Sequence, residues 1–291
     1  MKGQYIFSLF LLLFASTAFA GGGWPQPKKN GYFKLYQWWV NADQHFTDAG
    51  LIDPNVTSGI YNTSLYAEYG FTNRLTGILN IPLFSRAVVN NLRSQTTKDI
   101  IAEGGAINGI GDTDLGIKYG IINNGKIAFS ASLTLGLPFG NSEGGPNKNL
   151  QTGDGEFNQL LQLDLGMPLG GGENTSFYGN IYAGFNNRTN DFSDEFRYGL
   201  ELGAGLMKNK LYVVGRLQGV ESFQNGKTAA EITSTSVFAN NAEHLSVGGE
   251  IAYNIIKKFG VAASIMTAVS GKIIFAAPSY SVGVYFNLQR S

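Results

Sequence analysis

The sequence of 291 residues lacks cysteine, has few charged residues and, after its first twenty residues, has no long apolar run. Without cysteine, the chain has neither disulfides nor a lipid-modified cysteine anchor. Charged residues make up 14% of the chain, whereas soluble domains contain about a quarter. The formal net charge is zero, so the composition predicts no nucleic-acid partner. A membrane protein without an apolar stretch of about eighteen residues has to cross the bilayer with strands.

The beginning of the chain has the pattern of a secretory signal peptide. Lys2 starts a short basic region, residues 5–14 are almost wholly apolar, and Ala18-Phe19-Ala20 supplies a small-x-small cleavage pattern. We therefore predict a signal peptide over residues 1–20. A mobile N-terminal segment is predicted over residues 21–30, and a single transmembrane domain over residues 31–291.

What the sequence does contain is a two-residue alternation. In residues 127–137 one phase is apolar, whereas the other carries alanine, serine, threonine and glycine. About a dozen stretches of roughly ten residues alternate in this way, and this is the length that a tilted strand needs to cross a bilayer. The sequence predicts an all-β fold, a transmembrane antiparallel up-and-down β-barrel of about twelve strands. The predicted strands are 31–40, 63–71, 75–84, 113–121, 127–137, 157–167, 177–185, 196–206, 211–220, 245–255, 259–269 and 280–288.

The predicted connections alternate between short and long. Bacterial barrels have short periplasmic turns and longer extracellular loops, so this alternation predicts the orientation and places both termini on the periplasmic side. We predict an integral protein of the Gram-negative outer membrane, with outer-membrane lipid as one partner. The long connections carry more Asp and Glu than Lys and Arg, which predicts a negative outer mouth. They are residues 41–57, 85–111, 138–156, 186–195, 221–243 and 270–278.

Two stretches carry a family resemblance. Residues 109–119 read GIGDTDLGIKY, residues 133–140 read LTLGLPFG, and a second Gly-Asp pair lies at Gly153-Asp154. In these stretches the chain resembles the outer-membrane proteins of the MetA-pathway of phenol degradation family. The resemblance implies a channel or porter for small-molecule solutes, including hydrophobic or aromatic compounds. It implies no catalytic residues. We predict no cofactor.

The polar phase of the strands predicts the side chains that line the lumen. On the lipid side, an Arg or Lys at the midplane would cost roughly 2 to 4 kcal/mol, so charges in the wall belong inside. Two interpretations are open, a polar translocation path and a salt-bridge network that fills the space. A two-residue turn at Asn209-Lys210 would place Glu201 diagonal to Arg216, within reach of an ion pair. The predicted lumen residues are Lys34, Glu68, Asn80, Asp114, Lys118, Gln162, Asp164, Arg197, Glu201, Arg216, Glu250 and Asn254.

Two other functions stay open, although the sequence favours a channel without catalysis. His244 and Ser246 lie on one face of a predicted strand, an arrangement that a barrel-embedded lipid hydrolase could use. A sealed barrel that binds partners through residues 85–111 and 221–243 is the other alternative. Asp43, His45, Asp48 and Asp53 match no ordered cation-binding loop, and we interpret them as a solvated acidic loop. No metal site is predicted.

Overall fold

The computed structural model describes residues 22–94, 96–145, 148–227 and 237–289, so the predicted signal peptide lies outside the described residues. In this part of the chain there is no helix with the length and apolarity needed to span a membrane. The described residues form twelve long strands and four short ones. The long strands are β1 (Gly31–Phe46), β2 (Ile52–Gly70), β3 (Leu75–Val89), β7 (Thr113–Asn123), β8 (Ala128–Leu137), β9 (Asn158–Gly172), β10 (Thr175–Arg188), β11 (Glu195–Leu206), β12 (Leu211–Ser222), β13 (Glu243–Asn254), β14 (Phe259–Lys272) and β16 (Ser279–Leu288). The short strands are β4 (Leu92–Arg93), β5 (Ile100–Ala102), β6 (Gly105–Gly109) and β15 (Ile274–Phe275).

The twelve long strands close into an antiparallel barrel. Each long strand pairs with the next long strand along the chain, and β16 pairs with β1 to complete the ring. The strand β6 extends the wall by pairing with the upper part of β3, and β4 with β5 forms a small separate hairpin. The predicted fold class, a barrel of about twelve strands, is confirmed.

The alternation of the sequence sorts the side chains onto two faces of this wall. Leu133, Ile181 and Val284 point outward and are exposed, whereas Ser130 and Ser132 point inward and are buried. Aromatic side chains flank the outward apolar surface at both ends. Near the short turns Phe259 packs against Phe286, and toward the long loops Trp39 stacks on Tyr280. These are the apolar band and the aromatic girdles of a transmembrane barrel.

Several strands are longer than predicted, and β1 and β2 grow at the end with the long loops. The strand β1 continues to Phe46, beyond the predicted end at residue 40, and β2 begins at Ile52 rather than at residue 63. Beyond the bilayer no lipid selects apolar residues for the outer face. The alternation is therefore lost, although the backbone pairing of β1 with β2 continues.

The turn between β11 and β12 corrects the predicted register. The strands pair Leu206 with Leu211, so four residues form the turn instead of the predicted two. Met207, Lys208 and Asn209 have positive φ angles, a backbone conformation that a turn adopts and a paired strand does not. The register shifts by two residues, which keeps every side chain on its predicted face.

A closed barrel of this kind should resist unfolding by detergent. We expect the purified protein to show a β-rich circular dichroism spectrum and to migrate differently in gel electrophoresis before and after boiling, because no sheet edge of the barrel wall is left open. Identical migration of boiled and unboiled samples together with a non-β spectrum would contradict the fold.

Candidate functional site

Paired charges line one side of the barrel interior. The guanidinium group of Arg216 donates from Nε to Glu201 Oε2 at 2.7 Å, and its Nη1 atom lies 3.8 Å from Glu250 Oε2. Lys34 Nζ donates to the same Glu250 oxygen at 2.7 Å, and the hydroxyl group of Tyr178 donates to Glu201 Oε1 at 2.7 Å. We call these five residues the wall network. Its two cations and two carboxylates neutralise one another.

The ion pair predicted between Glu201 and Arg216 is present, but its geometry differs from the prediction. The two residues are direct cross-strand partners, not diagonal neighbours. The four-residue turn is the cause, because it brings Arg216 opposite Glu201 in place of Gln218. Direct partners on one face of an antiparallel pair stand about 4.5 to 5.5 Å apart at their Cβ atoms, which suits a close ion pair.

Residues 22–30, which lie in the segment predicted to be mobile, fold into the short-turn end of the barrel. We call this segment the plug. Its backbone is held by wall side chains. Gly23 N donates to Asn180 Oδ1 at 2.9 Å, and Gln26 N donates to Thr76 Oγ1 at 2.8 Å. The Gly22 carbonyl oxygen accepts a hydrogen bond of 2.8 Å from Lys118 Nζ.

Side chains of the plug extend these contacts. Gln26 Nε2 donates to Glu68 Oε2 at 3.1 Å, and Trp24 packs edge-on against Tyr178 with 5.7 Å between the ring centroids. Glycines of the wall make room for the segment. A Cβ atom at Gly166 would lie 2.4 Å from the Trp24 ring, closer than real contacts allow. The plug is therefore joined to the wall network through Tyr178.

Burial separates a dry lower interior from a hydrated upper interior. Beside the plug Glu68 is 1% exposed, Asp164 2% and Lys118 5%. Above it, the side chain of Arg216 is 25% exposed and that of Arg197 is 37% exposed. The inner wall above the plug is thus more accessible than the wall beside it.

The other predicted lumen residues also find polar partners on the inner wall. Tyr36 donates its hydroxyl hydrogen to Asn80 Oδ1 at 3.0 Å, and Asn80 Nδ2 donates to Asp114 Oδ2 at 3.3 Å. Tyr285 donates to Asn254 Oδ1 at 3.0 Å. Gln162 Nε2 donates a hydrogen bond to the Asp164 carboxylate. Arg197 donates from Nε and Nη2 to the Glu195 carboxylate. The structure therefore places the predicted set inside the barrel, distributed around the wall and not gathered at one point.

The described parts of two long loops, which exclude residues 146–147 and 228–236, fold into the opposite end of the barrel. We call residues 138–157 the first mouth loop and residues 223–242 the second. In the first, Thr152 is buried against the inner face at Gly109. In the second, Phe238 packs against a buried apolar cluster that includes Val40 and Phe275. The described parts of these loops cover the mouth from inside.

Arg188 holds the first mouth loop to the wall. Its guanidinium group pairs with Glu156 at 2.6 Å, Glu195 at 2.8 Å and Asp154 at 3.1 Å, and it lies over the Phe192 ring at 4.5 Å. The Arg188 side chain is only 5% exposed. Burial also raises the pKa of the Glu156 carboxyl group. Sequence reasoning missed this cluster, because Arg188 and its loop partners fall in predicted extracellular connections and carry no strand alternation.

The candidate hydrolase pair, His244 and Ser246, comes together on the inner face of β13. Ser246 Oγ lies 3.0 Å from His244 Nδ1, so the two side chains do meet. Both point into the barrel, however, where lipid acyl chains do not reach them. Among the described residues no group of three or more His, Cys, Asp or Glu side chains is arranged to hold a metal ion.

A closed barrel with an apolar belt outside and charges inside defines the class of this protein. It is an integral outer-membrane β-barrel protein. Its similarity to known proteins is structural. No family model matches the chain, and no curated protein sequence matches it.

The solved structures that resemble it are outer-membrane barrels. The COG4313 outer membrane channel from Pseudomonas putida F1 is 14% identical over 92% of this chain and 98% of its own, with a TM-score of 0.55. The beta domain of the Bordetella autotransporter BrkA is 13% identical over 89% and 99% of the two chains, with a TM-score of 0.52. At these identities the likeness establishes the shared fold.

Proposed function

We propose that this protein is an outer-membrane channel for small solutes. The observation that carries the proposal is the hydrated, charged inner wall between the plug and the mouth loops, where Arg197 and Arg216 stay accessible to water. A sealed structural barrel has no need of solvated charges in its interior, whereas a translocation path uses them. The resemblance in fold to an outer membrane channel supports the same proposal.

The solutes that we propose include aromatic and other partly apolar compounds. This part rests on the family resemblance of residues 109–119 and 133–140, and on the rings of the inner wall. Tyr36 and Tyr182 stand on the same face as the polar groups, so the wall can offer a ring stack beside a hydrogen bond. We propose no cofactor and no catalysis, with outer-membrane lipid as the surrounding partner.

Recording from single refolded proteins in a planar bilayer tests this function. We expect stepwise openings with a preference for K⁺ over Cl⁻ in a salt gradient. The long connections are acidic, and at the mouth Asp154, Glu156 and Glu195 outnumber Arg188 and Arg197. Fixed negative charge concentrates cations over roughly a Debye length, about 8 Å at physiological salt, so molar salt should weaken the preference.

Two results would contradict the proposal in different ways. Electrically silent bilayers that contain correctly folded protein, as judged by its heat-dependent gel shift, would favour the sealed barrel. Openings with an anion preference at low salt would support a channel but contradict selection of ions at the mouth. Ion selectivity would then be set by Lys34, Lys118, Arg197 and Arg216.

A further inference from the structure

A cation stands on the outward face of the barrel wall near the long-loop end of β3. The side chains of Ser85 and Ala87 are buried, whereas that of Arg86 between them is exposed. Because successive side chains of a strand point to opposite faces, Arg86 points away from the barrel interior. Phe84, two residues earlier on the same strand, is also exposed. Arg86 therefore follows directly on the outward apolar surface.

Arg86 lies in one row with the aromatic side chains that flank this surface toward the long loops. Its cross-strand partner on β2 is Tyr61, the partner of Tyr61 on β1 is Trp39, and Trp39 stacks on Tyr280. The eleven residues from Leu75 to Arg86 rise about 29 Å, at ~3.4 Å per residue and a strand tilt of ~40°. The apolar band of such barrels is about 25 Å tall. The guanidinium group therefore stands at the level of lipid headgroups.

The charge of this guanidinium group is not compensated by a neighbouring side chain. Arg86 Nη1 donates to Oδ1 of Asn108, its cross-strand partner on β6, at 2.9 Å. That bond uses one of five N–H donors, and Asn108 is itself exposed and neutral. Among the residues that the structure describes, no carboxylate lies within ion-pair distance of Arg86. The pair thus presents a fixed positive charge and planar donors to the membrane interface.

We propose that Arg86 and Asn108 bind a phosphate group of an anionic glycolipid in the outer leaflet of the membrane. In the orientation predicted from the loop lengths, the long-loop end faces the cell exterior, where this leaflet carries phosphorylated glycolipids. The planar guanidinium fork matches the geometry of a phosphate group. The apolar surface at Phe84 lies on the membrane side of the site, where the acyl chains of the same lipid would pack. This site is on the outer surface, so it is independent of the channel function.

Native mass spectrometry of the refolded protein in detergent, titrated with diphosphoryl lipid A, tests the site. We expect Arg86→Gln to bind lipid A about tenfold more weakly than the parent, because a hydrogen-bonded charge pair is lost. Arg74→Gln is the matched control. Arg74 is exposed and directly precedes the same strand at its opposite end, so this variant should bind like the parent. A neutral glycolipid with the same acyl chains should bind all three proteins equally.

A second variant tests the site with the arginine in place. Asn108→Asp sets a carboxylate beside Arg86, where it would pair with the guanidinium group and repel phosphate, so lipid A binding should fall at least as far. Arg93→Gln removes an exposed cation from the same connection, beyond the end of β3, and should have little effect. The heat-dependent gel shift confirms that each variant is folded.

Four results would overturn the proposal. Arg86→Gln could bind lipid A as tightly as the parent, or it could lose the neutral glycolipid to the same extent, which would indicate altered acyl-chain packing. An equal loss in Arg93→Gln would assign the attraction to the general charge of the connection. Displacement of lipid A by millimolar inorganic phosphate would assign the site to the free anion and not to a lipid.

Discussion

Replacing residues 22–29, all of the plug except Asn30, by a Gly/Ser segment of equal length is expected to raise the single-channel conductance severalfold. The plug fills the interior at the short-turn end, where it contacts the buried side chains of Glu68 and Lys118 beside the buried Asp164. A flexible segment lacks the Trp24 ring and the Gln26 side chain, so it would leave these charges to water. The lower interior would then conduct like the upper one.

Planar-bilayer recording checks this prediction against a variant that alters only the exposed end of the plug. Lys28 and Lys29 are exposed, and they hold Asn73 and Gly70 only through their backbone amides, which alanine retains. Changing both lysines to alanine should leave the conductance close to that of the parent. If the Gly/Ser variant also keeps the parental conductance while retaining its heat-dependent gel shift, the narrowest point lies at the mouth loops and not at the plug.

The barrel itself was predictable because the side chains of each transmembrane strand alternate between lipid and the interior, and those that face lipid have to be apolar. In β8, each apolar residue predicted to face lipid does so, and Ser130 and Ser132 fall on the inner face. This alternation has a period of two residues. An error of two residues in a predicted turn therefore leaves each side chain on its predicted face. The register error at the turn of β11 and β12 moved Arg216 by two positions without changing its face.

The positions of the plug and the mouth loops could not be predicted, because their contacts join residues far apart in the sequence. Gly23 meets Asn180, which lies 157 positions later, and Gln26 meets Thr76. Nothing near Gly23 in the sequence identifies its partner. The glycines that admit the plug, such as Gly166, look like ordinary strand glycines until the Trp24 ring is placed against them. Predicted alternation thus defines the wall, whereas long-range packing decides whether the lumen is open.

Substituting Arg188 by methionine is expected to cause a large loss of stability. Arg188 is buried and pairs with Glu156, Glu195 and Asp154. Methionine preserves much of the volume beside Phe192 but leaves these carboxylates without their shared cation. Removing one partner of a buried ion pair costs about 3 to 5 kcal/mol. The temperature at which the folded gel band disappears should fall accordingly.

Two comparisons separate unpaired charge from lost packing in this experiment. Lys148→Met breaks an exposed pair with Glu143 of 3.5 Å, and exposed pairs contribute about 0 to 1 kcal/mol, so its unfolding temperature should hardly change. Adding Glu156→Gln to Arg188→Met removes one of the stranded charges and should recover part of the loss. Burial already raises the pKa of Glu156, so acidification should recover stability in the single variant for the same reason. If Arg188→Met unfolds at the same temperature as Lys148→Met, water reaches the cluster and the first mouth loop is not anchored there.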